Sequence, residues 1–189
     1  MTELLAQLVP PAFRPLLVDA DPAGGDWLLR PGVAPEPGLS SLAMVGRRGL
    51  RAEELSEHVQ HLGPRLRVLV APAAARQATA ALQLVAEQLS AALSGLDAVI
   101  DCGSLFDGSP AMPLLKASDL VVLVGRPTAD AMVHLAPWVE ELRDEGTSVA
   151  VVLSTAGVPA RAATYRPGEV AEALGVDCLL YTSPSPRDS

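Results

Sequence analysis

Residues 15–25 read Pro-Leu-Leu-Val-Asp-Ala-Asp-Pro-Ala-Gly-Gly, an apolar run that ends in two aspartates one residue apart and then in a pair of glycines. The apolar residues 16–18 predict a buried strand, and Asp19 and Asp21 follow where that strand enters a loop. Ligands of open α/β sheets bind beyond the carboxyl ends of the strands. The two carboxylates are therefore placed to hold a metal ion or to orient a water molecule.

Apolar runs and helical periodicity alternate along the rest of the chain. Further strands are expected at residues 67–71, 96–101, 120–124, 149–153 and 177–180, and helices at 51–62, 73–93, 129–145 and 167–174. Pro137 predicts either a kink in the third of these helices or a later start. Strands that alternate with helices predict a three-layer α/β fold with a mainly parallel sheet. The run 120–124 is apolar throughout, which is typical of a strand covered on both faces.

The length of 189 residues fits a single domain, which we place at residues 15–180. Residues 1–14 form an N-terminal segment with a short helix predicted at 2–9, and residues 22–38 are a loop rich in proline and glycine. Residues 181–189 change abruptly to serine, proline and arginine. We expect this tail to be disordered, and its sequence resembles a translated adapter rather than a continuation of the fold.

Composition narrows the class of protein. The net charge of −8 argues against a broadly basic nucleic-acid surface, although Arg47, Arg48 and Arg51 could form a local patch. No apolar run approaches the roughly 20 residues of a membrane span. The two cysteines, Cys102 and Cys178, form no CxxC pair and are expected to pack as small hydrophobes in a cytoplasmic protein. Thirteen arginines accompany a single lysine, Lys116, so any phosphate-binding lysine has one candidate.

Polar residues follow the later strands as well. We expect the following to meet Asp19 and Asp21 at one edge of the sheet: Asp101, Arg126, Thr128, Ser154 and Thr155. Carboxylates with room for water suit Mg²⁺, which is usually held through one or two carboxylates and phosphate oxygens. The alternative is structural, because aspartate, serine and threonine also cap helices and close turns.

The histidines offer a weaker candidate site. His58 and His61 are three residues apart on the predicted helix 51–62, with Glu54 and Glu57 nearby, so one helical face could bind a metal. A solvated helix surface is the preferred interpretation.

Several segments resemble the MinD/ParA group of deviant P-loop ATPases. Residues 18–27 are similar to the switch I motif of that family, and residues 96–104 to its Walker B and switch II segment. Residues 114–127 are similar to the helix and strand that follow this segment in the family. Residues 166–176 are similar to the family's late segment before its last strand. The resemblance implies that Asp101 holds Mg²⁺ through water, that Asp19 supports the water shell of the metal, and that Asp21 positions the attacking water. It also implies ATP as cofactor, a homodimer with nucleotide between the subunits, and a role in positioning or partitioning cellular cargo through protein partners.

The chain also departs from that family. Members begin with a strand and a glycine-rich loop whose N–H groups and lysine hold the phosphates, whereas no glycine of this sequence is followed by lysine. Ser154 replaces an adenine-contacting asparagine, and the second switch lacks a double proline. We therefore expect a P-loop NTPase-like fold without its first strand and P-loop, either truncated or degenerate. Without this cradle the chain is not expected to hydrolyse ATP alone.

Two other readings compete with the ATPase. Asp19 and Asp21 also resemble the nucleophile and acid/base pair of haloacid-dehalogenase-like phosphatases, although the later lysine and acidic motif of that family are not convincingly placed. The fold could instead serve purely as an interaction scaffold. The sequence gives no direct indication of nucleic-acid or membrane binding, so any peripheral association with membrane or nucleoid would depend on partners.

Overall fold

The computed structural model describes residues 14–46, 49–63, 66–156, 158 and 164–181, with the backbone alone for residues 52, 180 and 181. The chain divides into two compact units, residues 1–117 and 118–189, and each is described by itself. The helix predicted at 2–9 and most of the predicted tail, residues 182–189, lie outside the described residues.

The first unit contains a four-stranded sheet. Its strands are β1 Leu16–Asp19, β2 Gln60–Leu62, β3 Leu66–Leu69 and β4 Ala98–Asp101. Their order is β2-β3-β1-β4, with β1 parallel to β3 and β4 and β2 antiparallel to β3. Every residue of β1 is buried. The apolar run therefore forms a buried strand, as the sequence predicted, and carries Asp19 at its end.

Among the residues that the structure describes, four helices and a 3₁₀ turn accompany this sheet. They are the turn Trp27–Leu29, α1 Leu39–Val45, α2 Ala52–Glu57, α3 Ala75–Leu93 and α4 Met112–Lys116. The predicted helix 73–93 is confirmed with a start two residues later, and α1 and α4 both contact it. Leu82, Val85 and Leu89 of α3 are fully buried because they recur along one face of the helix. On the sheet, Leu17, Trp27, Val68 and Val70 form an apolar cluster.

The predicted helix 51–62 is wrong in its second half. Helix α2 ends at Glu57, with His58 at its C-cap, and residues 60–62 form the antiparallel edge strand β2. Pairing with β3 satisfies backbone groups of this segment that a helix would have satisfied internally. His58 and His61 therefore share no helical face.

The second unit contains a three-stranded parallel sheet. Its strands, in the order β5-β6-β7, are β5 Val121–Gly125, β6 Val149–Ser154 and β7 Asp177–Tyr181. Helix α5 Ala129–Asp144 joins the first two, and α6 Pro167–Leu174 joins the second and third. The predicted helix 167–174 is confirmed, and Gly175 ends it in the left-handed conformation at φ 62°. Pro137 lies inside α5, which starts at Ala129, so the alternative of a later start is wrong.

One expectation about β5 is not met. Val121 and Leu123 are buried, whereas Val122 and Val124 are 39% and 52% exposed, so β5 is covered on one face only. Helix α5 contacts β5 and β6 and supplies the buried residues Leu135, Val139 and Leu142. An apolar run identifies a strand but does not show how many faces are covered. Both units nevertheless confirm the predicted α/β class with mainly parallel strands.

Candidate acidic site at the ends of β1 and β4

Asp19 and Asp101 each end a strand, and the two strands are parallel neighbours in the sheet. Asp19 of β1 is paired in register with Asp101 of β4, and the N–H of Ala20 donates to the carbonyl of Asp101 at 2.8 Å. Neighbouring strands lie about 4.8 Å apart, which places both side chains at the same sheet edge. The structure therefore brings Asp19 and Asp101 together, as the strand pattern predicted.

Asp19 is a buried carboxylate. It is 3% exposed, its Oδ2 accepts the N–H of Ala71 at 3.4 Å, and the backbone of Gly25 lies directly against that oxygen. Burial is the main cause that raises the pKa of Asp19 to about 6. The N–H of Ala71 opposes this shift, and the negative charges of Asp101 and Asp21 add to it. A cation at this edge would relieve the same repulsion.

Asp21 begins the loop that follows β1. Its Oδ1 accepts the N–H of Ala23 at 2.7 Å, and its carbonyl accepts the N–H of Gly24 at 3.1 Å. Such side-chain bonding to the backbone two residues on is typical of aspartate in turns. One part of the structural alternative is thus correct, since Asp21 also shapes its own loop.

Gly103 lies between the carboxylates of Asp21 and Asp101. Its N–H donates to Oδ1 of Asp101 at 3.1 Å, and the carboxylate of Asp21 occupies the space where a Cβ of residue 103 would lie. Its φ of 64° also favours glycine. Asp21 and Asp101 are therefore brought together across one glycine. The sequence pattern predicted no role in the site for Gly103, although this glycine follows Asp101 by two residues at a strand end.

The donor set fits magnesium better than a metal held by protein groups alone. Within the described part of the chain, no three His, Cys, Asp or Glu side chains are arranged as a ready metal site. Carboxylate oxygens are hard ligands, and Mg²⁺ keeps several waters while it binds one or two of them. Asp101, which is only half-buried, suits that coordination, and Asp19 lies next to it.

The other sequence candidates have local structural roles or belong to the second unit. Lys116 is the last residue of α4. In the second unit, Thr128 occupies the N-cap of α5 without a capping side-chain bond, and Oγ of Ser154 accepts the N–H of Ala156 at 3.4 Å. Arg126 and Thr155 lie in the connections after β5 and β6. Their predicted meeting with the three aspartates stays a prediction.

The histidine and phosphatase hypotheses lose support. Nδ1 of His58 lies 2.8 Å from Oγ of Ser41, and Glu54 binds the backbone and guanidinium of Arg51, so the proposed metal-binding face is not formed. A phosphatase nucleophile must reach a phosphorus atom, but the carboxylate of Asp19 is buried beneath Gly25.

Burial likewise raises the pKa of the Cys102 thiol to about 12, as expected of a packing residue. No helix in the described ranges is both long and apolar enough to cross a membrane.

Comparisons with known proteins agree on the fold. No protein-family model matches the sequence, and no curated protein matches it. Solved structures do match. A ParA family ATPase from Chlorobium tepidum TLS has a TM-score of 0.66 at 20% identity, over 99% of this chain and 76% of that one. The cell division ATPase MinD from Pyrococcus furiosus has a TM-score of 0.68 at 18% identity, over 93% and 73%.

A third match was solved with nucleotide. The septum site-determining protein MinD from Pyrococcus horikoshii OT3, complexed with Mg-ADP, has a TM-score of 0.63 at 17% identity, over 93% of this chain and 71% of that one. Identities of this size establish architecture, not activity. The chain has the α/β fold of the ParA and MinD ATPases.

Proposed function

We propose that this chain supplies the acidic, magnesium- and water-handling side of an ATPase domain of the partitioning and cell-division type, and that it does not hydrolyse ATP alone. One observation carries the proposal. Asp19, Asp21 and Asp101 converge at the ends of β1 and β4, in a chain where no glycine is followed by lysine.

Each aspartate has a role that its surroundings support. Half-buried Asp101 would hold Mg²⁺ through water, and buried Asp19 beside it would accept hydrogen bonds from the same water shell. Asp21, whose carboxylate accepts the N–H of Ala23 in its own loop, would orient the attacking water. Bound Mg²⁺ would neutralise charge on the phosphates of ATP. The Mg-ADP complex of the structurally similar MinD supports this choice of cofactor.

The lack of a glycine-lysine pair in this sequence determines the expected activity. Phosphoryl transfer depends on positioning and on electrostatic stabilisation of the phosphates. Three carboxylates without a cradle of N–H groups and lysine would repel ATP. Phosphate release from Mg²⁺-ATP should therefore equal the buffer rate for the wild type and for Asp101→Ala. Turnover by the wild type that Asp101→Ala abolishes would contradict the proposal.

Magnesium binding can be tested without nucleotide. Millimolar MgCl₂, compared with NaCl of equal ionic strength, should raise the melting temperature of the wild type and have little effect on Asp101→Asn. Asp107→Asn is the matched control, because Asp107 is an exposed aspartate of the same unit outside the site. An equal magnesium response of all three proteins would show that Asp101 holds no metal.

The resemblance also supports association of two copies, or of a partner protein, through the face that carries the aspartates. Because that face is acidic, Mg²⁺ should favour association. Multi-angle light scattering should show a mass that increases with Mg²⁺ for the wild type and less for Asp21→Ala. A mass that equals one chain in all conditions would exclude self-association.

A further inference from the structure

The loop that carries Asp21 is fastened to the start of α3. Two hydrogen bonds inside the loop fix its shape, from the N–H groups of Ala23 and Gly24 to Asp21. Two further bonds fix its place. The N–H of Gly25 donates to the carbonyl of Pro72 at 3.0 Å, and Oγ1 of Thr79 donates to the carbonyl of Pro22 at 3.1 Å.

Close packing reinforces these bonds. Gly24 lies so near the carbonyl of Ala73 that a Cβ would overlap it, and its φ of 110° also favours glycine. A Cβ on Gly25 would overlap the carboxylate of Asp19 and approach Cβ of Ala71 to 3.0 Å. The loop therefore lies directly on the connection between β3 and α3.

Thr79 is the unusual member of this contact. A threonine hydroxyl inside a helix can bond to the carbonyl four residues earlier in the same helix. The hydroxyl of Thr79, the fifth residue of α3, donates instead to Pro22, 57 residues away in the chain. Of the two bonds that place the loop, it is the one made by a side chain, so substitution can remove it selectively.

We infer that Thr79 is a positioning residue for Asp21. Through its bond to Pro22, the loop of residues 21–25 and the N-terminal turns of α3 move as one body, and α3 sets where the Asp21 carboxylate lies. A displacement of α3 would accordingly displace Asp21. The inference rests on the proposed function for the role of Asp21, whereas the coupling itself can be measured without nucleotide or metal.

The test is amide hydrogen exchange by NMR on the full chain. Thr79→Val keeps the shape of the side chain and removes its hydroxyl, and Thr79→Ser keeps the hydroxyl. Thr79→Val should raise exchange at Gly24 and Gly25 by roughly fivefold, the effect of one lost hydrogen bond, with the amides of β1 and of central α3 unchanged. Thr79→Ser should retain wild-type exchange in the loop.

Ser90→Ala is the control, because the Ser90 hydroxyl donates to the carbonyl of Glu87 within α3 at 2.7 Å. It should leave the loop amides unchanged. Should Thr79→Val not fold, Thr79→Ala serves in its place. The inference is overturned if the variant without the hydroxyl exchanges like the wild type, if all amides accelerate equally, or if Thr79→Ser exchanges as fast as Thr79→Val. Such results would leave the phosphate-release and magnesium tests unaffected.

Discussion

The carboxylate of Asp21 lies against the backbone of Gly103, so that any side chain at residue 103 would overlap it. The same glycine donates its N–H to Asp101 at 3.1 Å. The absence of a side chain at one position thus lets two carboxylates from different loops come together. Glycine at this position is a requirement of the acidic site as well as of the turn.

Gly103→Ala should destabilise the protein more than Gly108→Ala. Both residues have positive φ, 64° and 77°, so both substitutions incur about 1–2 kcal/mol of backbone strain. Nothing lies within 4 Å of a Cβ at Gly108. The overlap with Asp21 should add on the order of 1–3 kcal/mol at residue 103 only. Urea unfolding of the two variants measures the difference.

A double variant separates contact from strain. In Gly103→Ala combined with Asp21→Ala, the overlap is removed while the backbone strain remains. Gly103→Ala should therefore lower the free energy of unfolding less in the Asp21→Ala protein than in the wild type. The difference should equal most of the cost that the overlap adds. Equal losses at residues 103 and 108 would show that Asp21 does not press on Gly103.

Asp19 should make stability fall as pH rises. Its pKa is raised from 3.8 to about 6 in the folded protein, so the folded state binds the proton more tightly than the unfolded state. The contribution is complete below about pH 4 and is lost as pH rises through about 6, by about 3 kcal/mol. Asn at position 19 carries no charge and should abolish this component.

Urea unfolding at pH 4.5 and pH 7.5 provides the measurement. The wild type should lose more stability between these values than Asp19→Asn, and the difference between the two proteins isolates Asp19 from other titrating groups. Both measurements use metal-free buffer, because a bound cation would favour the ionised carboxylate. The same pH dependence in both proteins would mean that Asp19 is solvated in the folded state.

Local patterns predicted the elements that depend on local chemistry. Residues 16–18 are uniformly apolar and form, with Asp19, the strand that this pattern predicts. Helix α6 is bounded by Pro167 and Gly175, which favour those positions. The three aspartates could be assigned to one edge because parallel strands share the direction of their ends. Those arguments need no knowledge of distant residues.

The predictions that proved wrong concern segments whose structure depends on residues far away in the sequence. Residues 60–62 have helical spacing, but pairing with β3 makes them an edge strand. The exposure of Val122 and Val124 depends on what covers the sheet, which the strand itself does not encode. The role of Gly103 was not predicted for the same reason, because Asp21, which contacts it, is far from it in the sequence.

Gln60 should be important for the loop 22–38. Its amide donates to the carbonyls of Ala34 and Pro37 at 2.7 and 2.6 Å and accepts the N–H of Ala34 at 3.0 Å. Gln60→Ala should cost on the order of 1 kcal/mol, because three hydrogen bonds are lost while water can bond to the exposed backbone groups of Ala34 and Pro37. Gln83→Ala, on the exposed side of α3, is the control and should be close to neutral. Similar urea midpoints for the two variants would contradict this role.

The two cysteines should differ in reactivity. Alkylation proceeds through the thiolate, and burial together with the charges of Asp101 and Asp21 raises the pKa of Cys102 to about 12. Burial also raises the pKa of Cys178, but that side chain is only half-buried. Iodoacetamide at mildly alkaline pH should therefore modify Cys178 first, and Cys102 only after urea is added, as peptide mass spectrometry can show. Equal labelling of both in native buffer would mean that the β4 end, and with it the acidic site, is more open than the structure shows.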